Sequence, residues 1–409
     1  MVFSTKKSWE KYELSLKSLS GGSSTNSKKP RFKGFEPGLI VRGKGCRVWD
    51  LDNNEYIDFR NGLGPVSLGY NIPEINEAII KQLNDGIIFG HPHPLEGEVA
   101  KLLVDIIPCA DRVRFLKTGG EAVAACIKIA RNATGRDKVL HCGYNGWLNV
   151  LSVPVGYRPV GVANQAFTGV PLPVQALHKS MPWGYTAAWE KIFEEEGRNI
   201  AAVVIASDYA EIDKGKEFLP AIRQLTKKYG ILMIMDEIVT GFRLSLGGAH
   251  EYFNFMPDMA VYAKGLANGM PFSVYSGRAD LIDSSPNLGI SSTFGGDTLA
   301  LAAVKATVKF YQQKKVIKHL WKVGDKMQDG VNNLFNKYKI NAGMKGYSVC
   351  PWISFPNPSE LELFYKYSYK NGVSLYTLSF VNYSHKDKDI NEALERIEKA
   401  IKEMRDADN

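Results

Sequence analysis

The sequence predicts an α/β protein: a mainly parallel sheet covered by helices, with a smaller α+β domain beside it. Three observations carry this. Short apolar runs alternate with helical stretches: Val203-Val204-Ile205, Ile231-Leu232-Met233-Ile234-Met235 and Met259-Ala260-Val261-Tyr262. Strands that are apolar throughout are those of a sheet buried on both faces. The composition, 44% hydrophobic and 23% charged, is that of a folded globular chain, and 409 residues suffice for two or three domains.

Taken in order, residues 8–19 place Trp9, Tyr12, Leu16 and Leu19 at helical spacing and predict a short helix that docks on a neighbour. Ser20 to Pro30 is a polar, glycine-containing loop, a linker or a functional flap. Residues 38–60 read as short strands, Val48-Trp49-Asp50 and Glu55-Tyr56-Ile57-Asp58-Phe59, around the turn Asp52-Asn53-Asn54. Pro73 opens a helix whose Ile75, Ile79 and Leu83 share a face, and Gly86 closes it. A strand over 113–116 precedes another helix, and a helix around Glu217–Tyr229 stops at Gly230. Residues 298–336 are mostly helical, and the C-terminal stretch mixes short strands with a charged helix from Asp387 to Met404. The expected division is an N-terminal segment 1–72, a large domain 73–315 and a small C-terminal domain 316–409.

Several classes of function are disfavoured. The net charge of +8 comes from basic residues interleaved with acidic ones rather than clustered with aromatics, so no nucleic acid is expected as a partner. Five scattered cysteines without a Cys-x-x-Cys argue against a disulfide framework or zinc finger and suit a reducing, cytoplasmic setting. No segment approaches the ~20 apolar residues of a membrane helix, and Met1 to Lys7 has no apolar run behind it, unlike a signal peptide. Gly43-Lys44-Gly45-Cys46 lacks the third glycine of a dinucleotide loop. His91-Pro92-His93 has no companion ligands at metal spacing and reads as a loop with ordinary histidines, so no metal is expected.

Four stretches could carry chemistry. In Lys117-Thr118-Gly119-Gly120-Glu121-Ala122 a strand runs through two glycines into a strong helix. Free amides and the helix dipole there would suit an anion, although a plain strand-to-helix turn looks the same. Asp236 follows the apolar run 231–235, at the carboxyl end of a strand, where open α/β sheets bind ligands; a helix cap or ion pair is the alternative. Lys264 ends the run 259–262 beside Gly265 and Gly269. A lysine desolvated there could form a Schiff base, or could simply snorkel. Ser291-Ser292-Thr293-Phe294-Gly295-Gly296-Asp297 offers a second phosphate contact or a capped helix start. Together with the aromatic Tyr144, these are the parts that hold pyridoxal 5′-phosphate: a phosphate cradle, a lysine for its aldehyde and an aspartate for its ring nitrogen, with Tyr144 and Ile238 on the two ring faces.

At this point the chain resembles the class III pyridoxal-phosphate aminotransferases of fold type I, close to glutamate-1-semialdehyde 2,1-aminomutase and its aminotransferase relatives. The resemblance rests on Gly45–Phe59 (GCRVWDLDNNEYIDF), Arg112–Arg136 (RVRFLKTGGEAVAACIKIARNATGR), Gly143–Trp147 (GYNGW), Asp236–Arg243 (DEIVTGFR), Ala263–Pro271 (AKGLANGMP) and Ser292–Asp297 (STFGGD), in the family's order. It implies a seven-stranded large-domain sheet and a small domain built from both chain ends. It implies Lys264 as Schiff-base lysine and proton shuttle, Asp236 at the pyridine nitrogen, Gly119 and Gly120 on the phosphate, and Tyr144 and Ile238 around the ring. Thr293 would reach the phosphate of the neighbouring subunit in a homodimer with sites at its interface.

Three departures bear on substrate. The family's Tyr-His-Gly is here Tyr144-Asn145-Gly146, and its Glu-Pro after the strand at 203–205 is Ala206-Ser207. Its carboxylate-binding Ser and Arg fall on a run Gly21 to Lys28 that lacks the arginine, leaving Lys28, Lys29 or Arg31 to stand in without the same planar fork in the lysines. Ser24, Lys28, Asn145 and Trp147 are the candidate substrate contacts. The expected activity is transfer of an amino group between an amino donor and an aldehyde or ketone acceptor, sugar-like compounds included. A 2,1-aminomutase, or a lyase, decarboxylase or racemase on the same scaffold, is the alternative.

Overall fold

A computed structural model describes residues 3–148 and 169–408. The chain forms two compact units, one of residues 1–73 and 318–409, the other of residues 74–317.

The first unit contains a four-stranded sheet in the order Ile40–Lys44, Arg47–Asp50, Glu55–Asp58, Val373–Ser374. The first three strands are antiparallel, and the fourth, from the C-terminal part of the chain, runs parallel to the third with Val373 opposite Ile57. The Asp52-Asn53-Asn54 turn forms as expected because the Asp50 carboxylate accepts the amides of Asp52 and Asn54, with Asn53 left-handed at φ 66°. The N-terminal helix spans Lys6–Ser15 rather than reaching residue 19. Trp9 and Tyr12 are buried, the Trp9 indole N–H donating to the Glu36 carbonyl at 2.6 Å, whereas Leu16 and Leu19 lie past the helix end and are exposed. The polar loop after it is shaped by two short 3-10 turns, and Arg60 donates to the Ser27 carbonyl at 2.6 Å.

The second unit is built on seven strands: β1 (Arg112–Leu116), β2 (Lys138–Cys142), β3 (His178–Ser180), β4 (Ile200–Ala206), β5 (Leu232–Asp236), β6 (Met259–Tyr262) and β7 (Ser273–Gly277). Their spatial order is β1-β7-β6-β5-β4-β2-β3. All pairs are parallel except those of β7, which runs antiparallel to both neighbours. Every residue of β4 is buried, as a central strand covered on both faces must be. Helix Gly119–Thr134 packs its Ala122, Val123, Cys126, Ile127 and Ala130 into the core formed with Val204, Ile234 and Val261. Helix Pro73–Asp85 buries Ile75, but Leu83 and Ile80 are exposed, so its predicted apolar face is only partly covered within the chain. His93 serves the fold, since its Nδ1 accepts the Leu95 amide at 3.2 Å and caps helix Pro94–Ile106.

Candidate active site

Parallel pairing aligns the carboxyl ends of the central strands, and the candidate residues follow from that alignment. The last residue of β5, Asp236, pairs with Ala206 at the end of β4 and with Val261 of β6. Two residues beyond Val261 the chain leaves the sheet. Lys264 opens a short 3-10 turn, Lys264–Ala267, with φ 45°, left-handed and unusual for a residue with a Cβ. Such a conformation costs on the order of 1–2 kcal/mol and is held by the surrounding turn, in which Gly265, Leu266 and Ala267 are buried.

At the other end of the sheet β1 runs into helix Gly119–Thr134. Thr118 is its N-cap: the Thr118 hydroxyl accepts the Glu121 amide and the Glu121 carboxylate accepts the Thr118 amide, a capping box. This arrangement takes up the amides of Thr118 and Glu121. Those of Gly119 and Gly120 sit in the first turn, where the helix supplies no acceptor, and point to an anion site. Gly119 is required there by packing as well: a Cβ on it would lie 2.3 Å from Ile238 Cδ1. Ile238 in turn donates its amide to Asp236 Oδ1 at 3.1 Å. Gly119, Ile238, Asp236 and the charge of Lys264 therefore belong to one neighbourhood.

The Asp236 carboxyl is buried, and burial pushes its pKa up to about 6. The Asn145 amide, the Ile238 amide and the Lys264 charge pull the other way. A carboxylate held in so dry a place is under-compensated, and a cationic ring nitrogen would supply what it lacks. That, with a glycine-opened helix N-terminus and a strand-end lysine, is the donor set that fits pyridoxal 5′-phosphate: Gly119 and Gly120 for the phosphate, Asp236 for the ring nitrogen, Ile238 against the ring and Lys264 for the aldehyde.

The remaining candidates are distributed as follows. Tyr144 exposes about half its surface, 48%, and Trp147 is 78% exposed. Asn145 between them is buried, with its Nδ2 donating to Asp236 Oδ2 at 3.2 Å and its Oδ1 3.1 Å from His141 Nδ1. Its amide thus bridges the Asp236 carboxyl and a histidine. Thr293 is exposed on a turn anchored from behind: Lys117 Nζ pairs with Asp297 Oδ2 at 2.7 Å, and Asp297 Oδ1 caps helix Thr298–Lys314. Ser24 and Lys28 belong to the other unit. Ser24 is exposed, and Lys28 lines a cavity there with Tyr12, Asp58, Arg60 and Tyr70. Sequence reasoning passes over His141, His178 and Arg131, which stand behind Asn145. Their only sequence signal is a histidine in an otherwise apolar strand, Val139-Leu140-His141-Cys142.

Comparison with known proteins gives a consistent result. The family described as aminotransferase class-III matches residues 33–401. Glutamate-1-semialdehyde 2,1-aminomutase of Persephonella marina is 32% identical over 421 aligned positions, covering 96% of this chain and 98% of its own. Among solved structures, the FumI protein of Sphingopyxis sp. MTA144 in a PLP form superposes with a TM-score of 0.89 at 22% identity, covering 99% and 98% of the two chains. A glutamate-1-semialdehyde aminomutase of Pseudomonas aeruginosa PAO1 in complex with PMP superposes with a TM-score of 0.85 at 18% identity, covering 98% and 96%.

Proposed function

The chain belongs to the class III aminotransferases, enzymes that use pyridoxal 5′-phosphate and act on small molecules, and from that premise we propose that it moves an amino group from an amino donor to an aldehyde or ketone acceptor through Lys264. The observation that carries the reading is the buried Asp236 carboxyl beside the Lys264 charge, hydrogen-bonded to the amide of the same Ile238 that closes on Gly119. When bound, the cofactor supplies the electron sink for the substrate carbanion. The chain does the rest. Gly119 and Gly120 would hold the phosphate through their amides, and Ile238 and Tyr144 would hold the ring. Asp236 keeps the ring nitrogen protonated. Lys264 Nζ takes the proton from the substrate carbon and returns it on the other side of the exchange.

An acceptor without a carboxylate to clamp, such as a sugar-like carbonyl compound, is favoured over glutamate-1-semialdehyde by the run Gly21 to Lys28, which lacks an arginine. Lys28 and Lys29, which follow in its place, lack the bidentate fork. The test is a pair of half-reactions: amines are screened for bleaching of the cofactor band, then carbonyl compounds for restoring it. Restoration by an external carbonyl compound is expected. Conversion of glutamate-1-semialdehyde with no second substrate would establish the aminomutase instead, and loss of carbon dioxide or inversion without amino transfer would establish the lyase, decarboxylase or racemase alternative.

We place the working enzyme in the cytoplasm as a homodimer. Its five cysteines are buried and none is in a disulfide, which suits a reducing compartment, and among the described residues no helix is long and apolar enough to cross a membrane. The dimer is supported by exposed Ile80, Leu83, Ile87, Ile88 and Phe89, together with Phe294 on the turn that carries Thr293. An apolar surface of this kind marks an interaction site. If Thr293 reaches the partner's phosphate, Lys264→Ala and Thr293→Ala chains should complement. Half the sites of a heterodimer would hold both residues intact, so activity at limiting cofactor is expected above the mean of the two parents. Mass-verified heterodimers no better than that mean would put Thr293 outside the partner's site.

A further inference from the structure

Behind Asp236 lies a continuous line of hydrogen bonds that no part of the proposed chemistry uses. Arg131, in the last turn of helix Gly119–Thr134, brings its Nη2 within 3.3 Å of His178 Nε2. His178 Nδ1 is 2.8 Å from His141 Nε2, His141 Nδ1 is 3.1 Å from Asn145 Oδ1, and Asn145 Nδ2 is 3.2 Å from Asp236 Oδ2. The sheet register makes the middle of this line. His178 on β3 pairs with Val139 on β2 and Ser180 pairs with His141, so the two-residue period sets both imidazoles on one face of adjacent strands.

The direction of the line is fixed from both ends. A guanidinium only donates, so His178 Nε2 accepts and its proton sits on Nδ1. That N–H donates to His141 Nε2, which places the second imidazole's proton on Nδ1 as well. The His141 Nδ1–H then donates to Asn145 Oδ1 and leaves the amide nitrogen facing Asp236. Reading backwards from an ionised carboxylate, which only accepts, gives the same assignment at every atom. We infer that Arg131, His178, His141 and Asn145 form a one-way hydrogen-bond relay that locks the Asn145 amide as a donor to Asp236, making Arg131 and the two histidines positioning residues for the carboxylate that serves the cofactor ring. This rests on the reading of Asp236 as the ring-nitrogen partner.

The surroundings keep the relay in that state. Burial, and then the neighbouring His178, push His141 down to about 3; burial, and then Arg131, push His178 down to about 4. Both rings are neutral across the physiological range, and a neutral imidazole is what the line requires, with one donor and one acceptor each. Without the Arg131 donor nothing at the far end chooses between the two tautomers of His178. The reversed line would turn the Asn145 oxygen toward the carboxylate, two acceptors face to face, which favours a protonated Asp236.

Two measurements test the relay. In apoprotein with 15N-labelled histidine, His141 and His178, identified among the seven histidines by single replacements, should both carry the proton on Nδ1. This needs no altered relay to fold. Second, Arg131→Met, which keeps an unbranched stem and removes the donor, should shift His178 toward the Nε2–H form and weaken cofactor binding about tenfold in a spectroscopic titration, since a hydrogen bond to a charged group is worth roughly that. Arg131→Lys, still a pure donor, should keep both properties within about twofold of the wild type. A merely structural Arg131 would change the melting temperature alone. Nε2–H on either ring in the wild type, or Arg131→Met with unchanged tautomers and cofactor affinity, would overturn the relay. A wild type that binds no pyridoxal phosphate would overturn the proposed function instead and leave the tautomer result standing on its own.

Discussion

Lys264→Ala is expected to lower turnover by about 10²–10⁴-fold from the loss of proton transfer alone, and further through the loss of the covalent anchor. Lys264 sits at φ 45° at the head of a turn immediately after β6, and alanine there keeps the Cβ and the same backbone requirement. The fold should therefore survive, and the deficit belongs to the amine. The Gly119 and Gly120 amides and the Asp236 carboxylate, which we propose hold the cofactor, are untouched, so the variant should still bind the cofactor, noncovalently, with the visible band moved to that of the free aldehyde. An added small primary amine should restore a measurable fraction of the rate, because the missing group is only a base of suitable pKa at one place. A Lys264→Ala enzyme with near wild-type turnover would remove Lys264 from the chemistry. A variant that loses turnover but neither shifts the band nor responds to added amine would show a collapsed site rather than a missing base.

The sequence discloses the candidate site's outline because its parts are local. A pair of glycines before a strong helix, an aspartate after five apolar residues and a lysine after an apolar strand can each be read within a dozen positions, and parallel pairing does the rest by bringing strand ends together. The hydrogen bonds of Asn145 are hidden for the opposite reason. Its partner Asp236 lies 91 positions away, and nothing in Gly143-Tyr144-Asn145-Gly146-Trp147 says which way an amide turns. The His141 and His178 contact spans 37 positions and depends on β3, only three residues long with a polar sequence, His178-Lys179-Ser180, that carries no apolar pattern. In the first unit, the helical spacing of Trp9, Tyr12, Leu16 and Leu19 overruns the helix because periodicity has no stop signal. The chain turns after Ser15, whose hydroxyl donates back to the Tyr12 carbonyl at 2.6 Å. Ile79 and Leu83 do lie on a helix, but of that face only Ile75 is buried.

Asp236→Asn is expected to make the apoprotein more stable while nearly abolishing catalysis, and the opposite signs follow from one cause. The carboxyl is buried and its pKa is raised from 3.8 to about 6, chiefly by burial. A folded-state pKa raised above the unfolded value means that the folded protein holds the proton more tightly, so stability falls as pH rises from about 4 through about 6 and stays low above that. The shift corresponds to about 3 kcal/mol at neutral pH. Asparagine carries no charge and removes this cost. It also has a single carbonyl oxygen where the carboxylate offered two, so one of the two donors now served, Asn145 Nδ2 and the Ile238 amide, loses its acceptor, at about 1–2 kcal/mol. The net gain for the apoprotein at pH 8 is about 1–2 kcal/mol, read as a higher urea midpoint with unchanged slope; it should vanish near about pH 5 and turn into a loss below about pH 4, where the wild-type carboxyl is protonated too and only the missing acceptor remains. With cofactor present the balance reverses. The charge that was costly in the empty site is what holds a protonated ring nitrogen, and an amide cannot replace it, so cofactor affinity and turnover should both fall, turnover by orders of magnitude. Near-normal turnover would make Asp236 a structural residue. An Asn variant no more stable than wild type at pH 8 would mean that the ionised carboxylate is already compensated inside the fold, and the physical reason for a cationic partner would be lost.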